Sequence, residues 1–64
     1  MKDQATENMV GRDWEFVKEA LESFGFDYRV TKQDGESMVT TANVNPNRLN
    51  FELNDGIVED CYYG

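Results

Sequence analysis

The sequence contains no histidine, one proline and one cysteine in 64 residues. Without histidine, a serine or cysteine nucleophile lacks its usual general base, so the commonest machinery of acyl transfer is missing. With Cys61 alone, no internal disulfide can form and the fold must hold by packing. That loosely favours a reducing compartment, or a fold that does not depend on bridges. Cations are scarce as well: 6 Lys and Arg face 13 Asp and Glu, for a net charge of -7. Such a chain repels phosphate backbones, so no nucleic-acid partner is expected. The carboxylates are scattered and not ordered along one face, so they outline no DNA mimic, and solubility is their simplest use. No apolar run is long enough for a membrane span or a signal-peptide core, and no membrane partner is expected. The compartment stays open. There is also no Asn-x-Ser/Thr acceptor for an N-glycan and no phosphate-cradling glycine motif.

What the chain does have is aromatic residues. Trp14, Phe16, Phe24, Phe26, Tyr28, Phe51, Tyr62 and Tyr63 are expected to supply most of the core. They are needed, because a domain of this size buries only about 60% of the surface its unfolded chain exposes. One domain is expected. Residues 1–8 are polar and read as a flexible N-terminal arm, leaving 9–64 as the folded unit.

Asp13 stands where a helix N-cap belongs, since its side-chain oxygen can accept an orphan backbone N–H. Trp14, Val17, Leu21 and Phe24 follow at spacings of three or four, which places them on one helical face. Gly25 suits a left-handed end. The pattern predicts a helix over 13–24. Phe26, Tyr28 and Val30 then alternate with Asp27 and Arg29, as in a strand with one buried face. Residues 32–47 break that order with Gly35, Pro46, hydroxyl residues and asparagines, and read as one long loop. Long loops in small domains are often functional. Leu49, Phe51 and Leu53 alternate with Arg48, Asn50 and Glu52 as a second strand. Asn54-Asp55-Gly56 signals a turn, and Ile57-Val58 begins a last short strand running toward Cys61. The expected class is α+β: one α-helix packed on a small β-sheet as two layers.

Little in the sequence points to an enzyme. Cys61 alone is more often a small buried apolar residue than a nucleophile. Asn43, Asn45 and Asn47 alternate like a calcium loop, but Arg48 stands where the turn glycine belongs and no bidentate Glu follows. Neither a metal nor another cofactor is expected. A binding protein is the default reading.

Two segments carry a resemblance. Met9-Val10-Gly11-Arg12-Asp13 is similar to the helix entry of potato inhibitor I proteins. Pro46-Asn47-Arg48-Leu49-Asn50 resembles the segment after the reactive loop in the related I78 inhibitors. Downstream, Phe51 to Val58 resembles the strand, turn and strand of that family, and Gly64 stands at the family's terminal glycine. The likeness covers roughly the last five-sixths of the chain, and its weight lies in the order and spacing of the pieces together.

The resemblance implies a mixed sheet with a long exposed loop between two parallel strands. It implies a serine protease inhibitor, with subtilisin- or elastase-like enzymes as partners and the inhibitor itself a monomer. The reactive loop would span about 35–47, with Gly35 as its loop glycine. Counting back from Arg48 puts Thr41 at P2, Ala42 at P1, Asn43 at P1′ and Val44 at the family's aromatic position, with Thr41 or Thr40 as alternative P1 registers. Arg48 would cross beneath the loop and hydrogen-bond P2 and P1′, and Asn50 would be the second supporting residue. An alternative is an interaction module of the same fold that binds a non-protease partner through its acidic surface.

Overall fold

The computed structural model describes residues 3–38 and 45–64. Its elements, in chain order, are α1 (Gln4–Met9), α2 (Trp14–Phe24), β1 (Tyr28–Gln33), β2 (Glu36–Ser37), β3 (Leu49–Asn54) and β4 (Ile57–Tyr63). The strands form one mixed sheet in the order β2-β1-β3-β4. β1 runs parallel to β3, while β2 and β4 run antiparallel to their neighbours. The long helix α2 packs on this sheet, so the expected α+β layering holds.

Helix α2 starts and stops where its sequence dictates. The Asp13 carboxylate accepts the Phe16 N–H at 3.3 Å, and Gly25 closes the C-terminus with its amide on Glu22 and Leu21. Val17 and Leu21 are buried against Leu49, Phe51, Leu53, Val58 and Cys61, and Trp14, Tyr28 and Tyr63 pack around this core. Trp14 lies 4.8 Å from Phe51 and 5.7 Å from Tyr28, ring centre to ring centre, in tilted and edge-on contacts of the favourable kind.

Four of the aromatics expected in the core lie elsewhere, Tyr62 among them, which pairs with Asn50 on the other face of the sheet. Phe16, Phe24 and Phe26 are 64%, 79% and 52% exposed. Phe24 has the right helical angle but is the last residue of α2, at its far end. Phe26 spends its backbone N–H on the Leu21 carbonyl, closing the helix, so β1 begins two residues later than the alternation predicts.

The N-terminal arm also differs from its expected form. Asp3 caps α1 by accepting the Thr6 N–H, and the Thr6 hydroxyl returns to the Asp3 backbone, a reciprocal capping box. Thr6 is fully buried. Polarity is therefore a misleading sign here, because those polar groups are spent on each other. The corner between the helices is pinned to β4 and the turn before it: Gly11 N–H donates to the Val58 carbonyl, Val58 N–H to the Arg12 carbonyl, and Trp14 N–H to the Gly56 carbonyl.

The predicted loop from residue 32 begins with ordered structure. β1 continues to Gln33, and Asp34-Gly35 makes a tight hairpin turn into β2, with φ of 52° and 84°. The turn after β3 repeats it: Asp55 and Gly56 have φ of 52° and 75°. Two consecutive left-handed residues are what a type I′ hairpin requires, and Asp-Gly supplies them cheaply. The two turns also bond each other, through Asp55 N–H to the Asp34 carboxylate at 2.7 Å. Gly35, expected as the loop glycine, is thus a residue of the hairpin turn between β1 and β2.

β4 is longer than its apolar pattern suggests because it carries a bulge. Glu52 pairs with Asp60 and Leu53 with Val58, leaving Glu59 as the extra residue. The bulge shifts parity, so Val58 and Cys61 both face the core although three positions separate them. At 1% exposure, Cys61 is expected to react with a thiol probe at least about 100-fold more slowly in buffer than in denaturant, the slowing set by the rarity of opening. Equal rates would mean that the strand opens freely and that an intermolecular disulfide is accessible.

Candidate functional site

On β3 the core residues Leu49, Phe51 and Leu53 face the helices, which sends Asn50 and Glu52 to the opposite face. There the parallel register sets Arg29 of β1 beside Asn50, and the antiparallel register sets Tyr62 of β4 on its other side. A row of polar side chains thus crosses three strands.

Asn50 is 1% exposed, so its amide must find partners within the protein. Its Oδ1 accepts a short hydrogen bond from Arg29 Nε. Its Nδ2 donates to the Gly64 carbonyl at 2.9 Å and to the Tyr62 carbonyl at 3.3 Å. Arg48 Nε reaches the same Gly64 carbonyl at 3.2 Å, and the Gly64 N–H returns to the Arg48 carbonyl at 3.0 Å. One carbonyl near the chain end therefore joins Arg48 to Asn50, and Asn50 joins it to Arg29. Nearby, the Thr31 hydroxyl donates to the Phe51 carbonyl.

The chain approaches this cluster through a defined turn. Asn45 Oδ1 accepts the Asn47 N–H at 3.0 Å, and the Asn45 carbonyl accepts the Arg48 N–H at 3.0 Å. Asn at the first position and Pro46 at the second suit such a turn, because proline presets its φ. Asn45 Nδ2 also donates to the Asp27 carboxylate at 3.3 Å, and Leu49 N–H to the Asp27 carbonyl at 3.0 Å. On the other side, Met38 N–H donates to the Thr31 carbonyl at 2.9 Å. Met38 and Asn45, which bound residues 39–44, are thereby both fastened to β1 or to the residue before it.

Thr40, Thr41, Ala42, Asn43 and Val44 lie outside the described residues. Of the two expected support residues, Arg48 sits half-buried just before β3, with its Nε on the Gly64 carbonyl. Asn50, two residues on, holds Arg29 and the carbonyls of Tyr62 and Gly64. Arg29 and Gly64 complete the cluster. Sequence reasoning placed Arg29 on the polar face of a strand and did not connect it to Asn50. The signal was a pair of polar residues at equivalent places on two strands, legible only once their register is known. Among the described residues, no three His, Cys, Asp or Glu side chains group as a metal site.

The arrangement makes chemical sense as a brace. Two guanidinium groups, an amide and a carbonyl form charge-assisted and neutral hydrogen bonds across three strands, on the side of the sheet that the helices leave open. No protein-family model, curated protein or solved structure matches this chain.

Proposed function

We propose that the protein inhibits serine proteases of the subtilisin or elastase type by offering the stretch around Ala42 as a substrate-like strand. The observation that carries this reading is the brace formed by residues on either side of that stretch in the sequence. Arg48, Asn50, Arg29 and Gly64 lock together, and Met38 and Asn45 are fastened on either side. The parallel pairing of β1 with β3 also suits the fold of the potato inhibitor I family, in which such strands flank the reactive loop.

The physical logic is one of entropy and retention. A protease takes up an extended peptide as an added strand beside its catalytic serine. A flexible peptide loses conformational freedom on binding, whereas a segment already held extended avoids much of that cost. After cleavage, the new ends stay tied to the domain through the brace and the core. The leaving amine remains beside the acyl-enzyme, and religation competes with hydrolysis. Alanine at P1 fits the small pocket of elastase-like enzymes and the tolerant pocket of subtilisin-like ones. It does not fit a pocket built for a long cation.

Replacing Ala42 with arginine is therefore expected to shift inhibition toward trypsin-like enzymes by at least about tenfold, as the new guanidinium meets a carboxylate in their pocket. Inhibition constants against trypsin and elastase, measured side by side, check this. An unchanged ratio would place P1 at another residue, with Thr41 and Thr40 next in line.

Binding by the -7 surface charge is the competing reading. It separates cleanly by salt: carboxylate-driven binding weakens strongly between low and high ionic strength, while occupation of a protease cleft does not.

A further inference from the structure

The Asn50 amide has two unlike ends, an acceptor Oδ1 and a donor Nδ2. At 1% exposure, its neighbours and not water must orient it. On one side stands Arg29, its register partner on β1, and on the other Tyr62, its partner on β4. A guanidinium carries donors and no acceptor, so Arg29 Nε admits Oδ1 and excludes Nδ2. The amide is thereby turned so that Nδ2 meets the Gly64 carbonyl at 2.9 Å and the Tyr62 carbonyl at 3.3 Å. A carbonyl oxygen has two lone pairs, and that of Gly64 uses the second on Arg48 Nε at 3.2 Å. The Gly64 N–H returns to the Arg48 carbonyl at 3.0 Å and closes the ring.

We propose that Arg29 is a positioning residue for Arg48. Its Nε–H sets the orientation of the Asn50 amide, and the amide sets the Gly64 carbonyl that holds the Arg48 guanidinium. Arg29 precedes Ala42 in the chain and Arg48 follows it, so the setting passes from one side of the proposed cut to the other through strand pairing. What counts at position 29 is a donor in the place of Nε, and charge alone is not enough. The bearing of Arg29 on inhibition rests on the inhibitor reading, and the experiment separates the two.

The test compares Arg29→Gln with Arg29→Met in the full chain. Glutamine places Nε2 as many bonds from Cα as arginine places Nε, so it keeps a donor for Asn50 Oδ1. Methionine puts a methyl group there and keeps the apolar stem. Nitrogen-15 relaxation of the Arg48 Nε–H reports on Arg48 within the folded state, whatever the change in overall stability. Its order parameter should be about 0.8 in the parent and in Arg29→Gln, and should fall below about 0.6 in Arg29→Met, with the β3 backbone unchanged. Cleavage by subtilisin should run about tenfold faster in Arg29→Met than in the parent and stay within about twofold of it in Arg29→Gln. Adding Arg29→Met to Arg48→Ala should speed cleavage little further, because the two act in one chain of contacts. An Arg48 Nε–H that is mobile in the parent, or rigid in folded Arg29→Met, would overturn the proposal. Mobility in Arg29→Gln equal to that in Arg29→Met would overturn it too, since Arg29 would then act by charge and not through the amide. If Arg29→Met does not fold, Asn50→Ala removes the link itself and carries the same expectation for Arg48. Should the parent inhibit neither subtilisin nor elastase, the inhibitor reading fails, and the Arg48 order parameters alone decide whether Arg29 positions it.

Discussion

On the proposed inhibitor reading, replacing Arg48 with alanine is expected to leave a protein that proteases cleave as an ordinary substrate. The guanidinium donates to the Gly64 carbonyl from a half-buried position just before β3. Hydrogen bonds to charged groups contribute about 1.5–3 kcal/mol each, and a tenfold change in affinity corresponds to about 1.4 kcal/mol. The inhibition constant should therefore rise roughly 10- to 100-fold, and cleavage product should accumulate within hours. Arg48→Lys keeps the charge but not the planar fork, so it should fall between parent and alanine. Progress curves with subtilisin, read alongside the melting temperature, separate loss of the brace from loss of the fold. A fully folded Arg48→Ala protein that inhibits as well as the parent would remove Arg48 from the mechanism.

The largest effect on stability is expected at Phe51. Its side chain has no exposed surface, and it meets Trp14 and Tyr28 at the centre of the core. Phenylalanine-to-alanine changes in such places cost about 3–5 kcal/mol. At about 0.05–0.15 kcal/mol per residue, a chain of 64 residues has roughly 3–10 kcal/mol in all. Phe51→Ala should consequently leave a large unfolded fraction in buffer, or a urea midpoint near zero. Phe24→Ala, at a residue 79% exposed, should change stability by less than about 0.5 kcal/mol. Urea unfolding followed by Trp14 fluorescence measures both. A small loss at Phe51 would mean that the core repacks around the gap.

These two phenylalanines also show what the sequence displays and what it hides. Helix α2 could be read nearly to the residue, because its N-cap, its period and its terminal glycine all agree. β3 could be read because its two faces differ in polarity. Phe24 satisfied the same helical period as Leu21 yet ended outside the core, since period fixes an angle around the helix and says nothing about how far the sheet extends. Helix α1 was hidden because its capping box uses polar residues, the sign usually taken for a loose arm. The Asp34-Gly35 hairpin had a signal equal to that of Asp55-Gly56, but its flanking residues lack the clean alternation that frames the second turn. At the candidate site, Arg48 and Asn50 were legible by resemblance, while Arg29 and Gly64 joined them only through strand register, which depends on contacts 14 to 21 residues apart.

The inhibitor reading is tested most directly by titrating subtilisin and pancreatic elastase with the purified protein and identifying any cut by mass spectrometry. Loss of activity in proportion to added protein, with a single slow cut between Ala42 and Asn43, is the expected result. Undiminished activity of both enzymes, with the chain left intact or degraded at many sites, would contradict it.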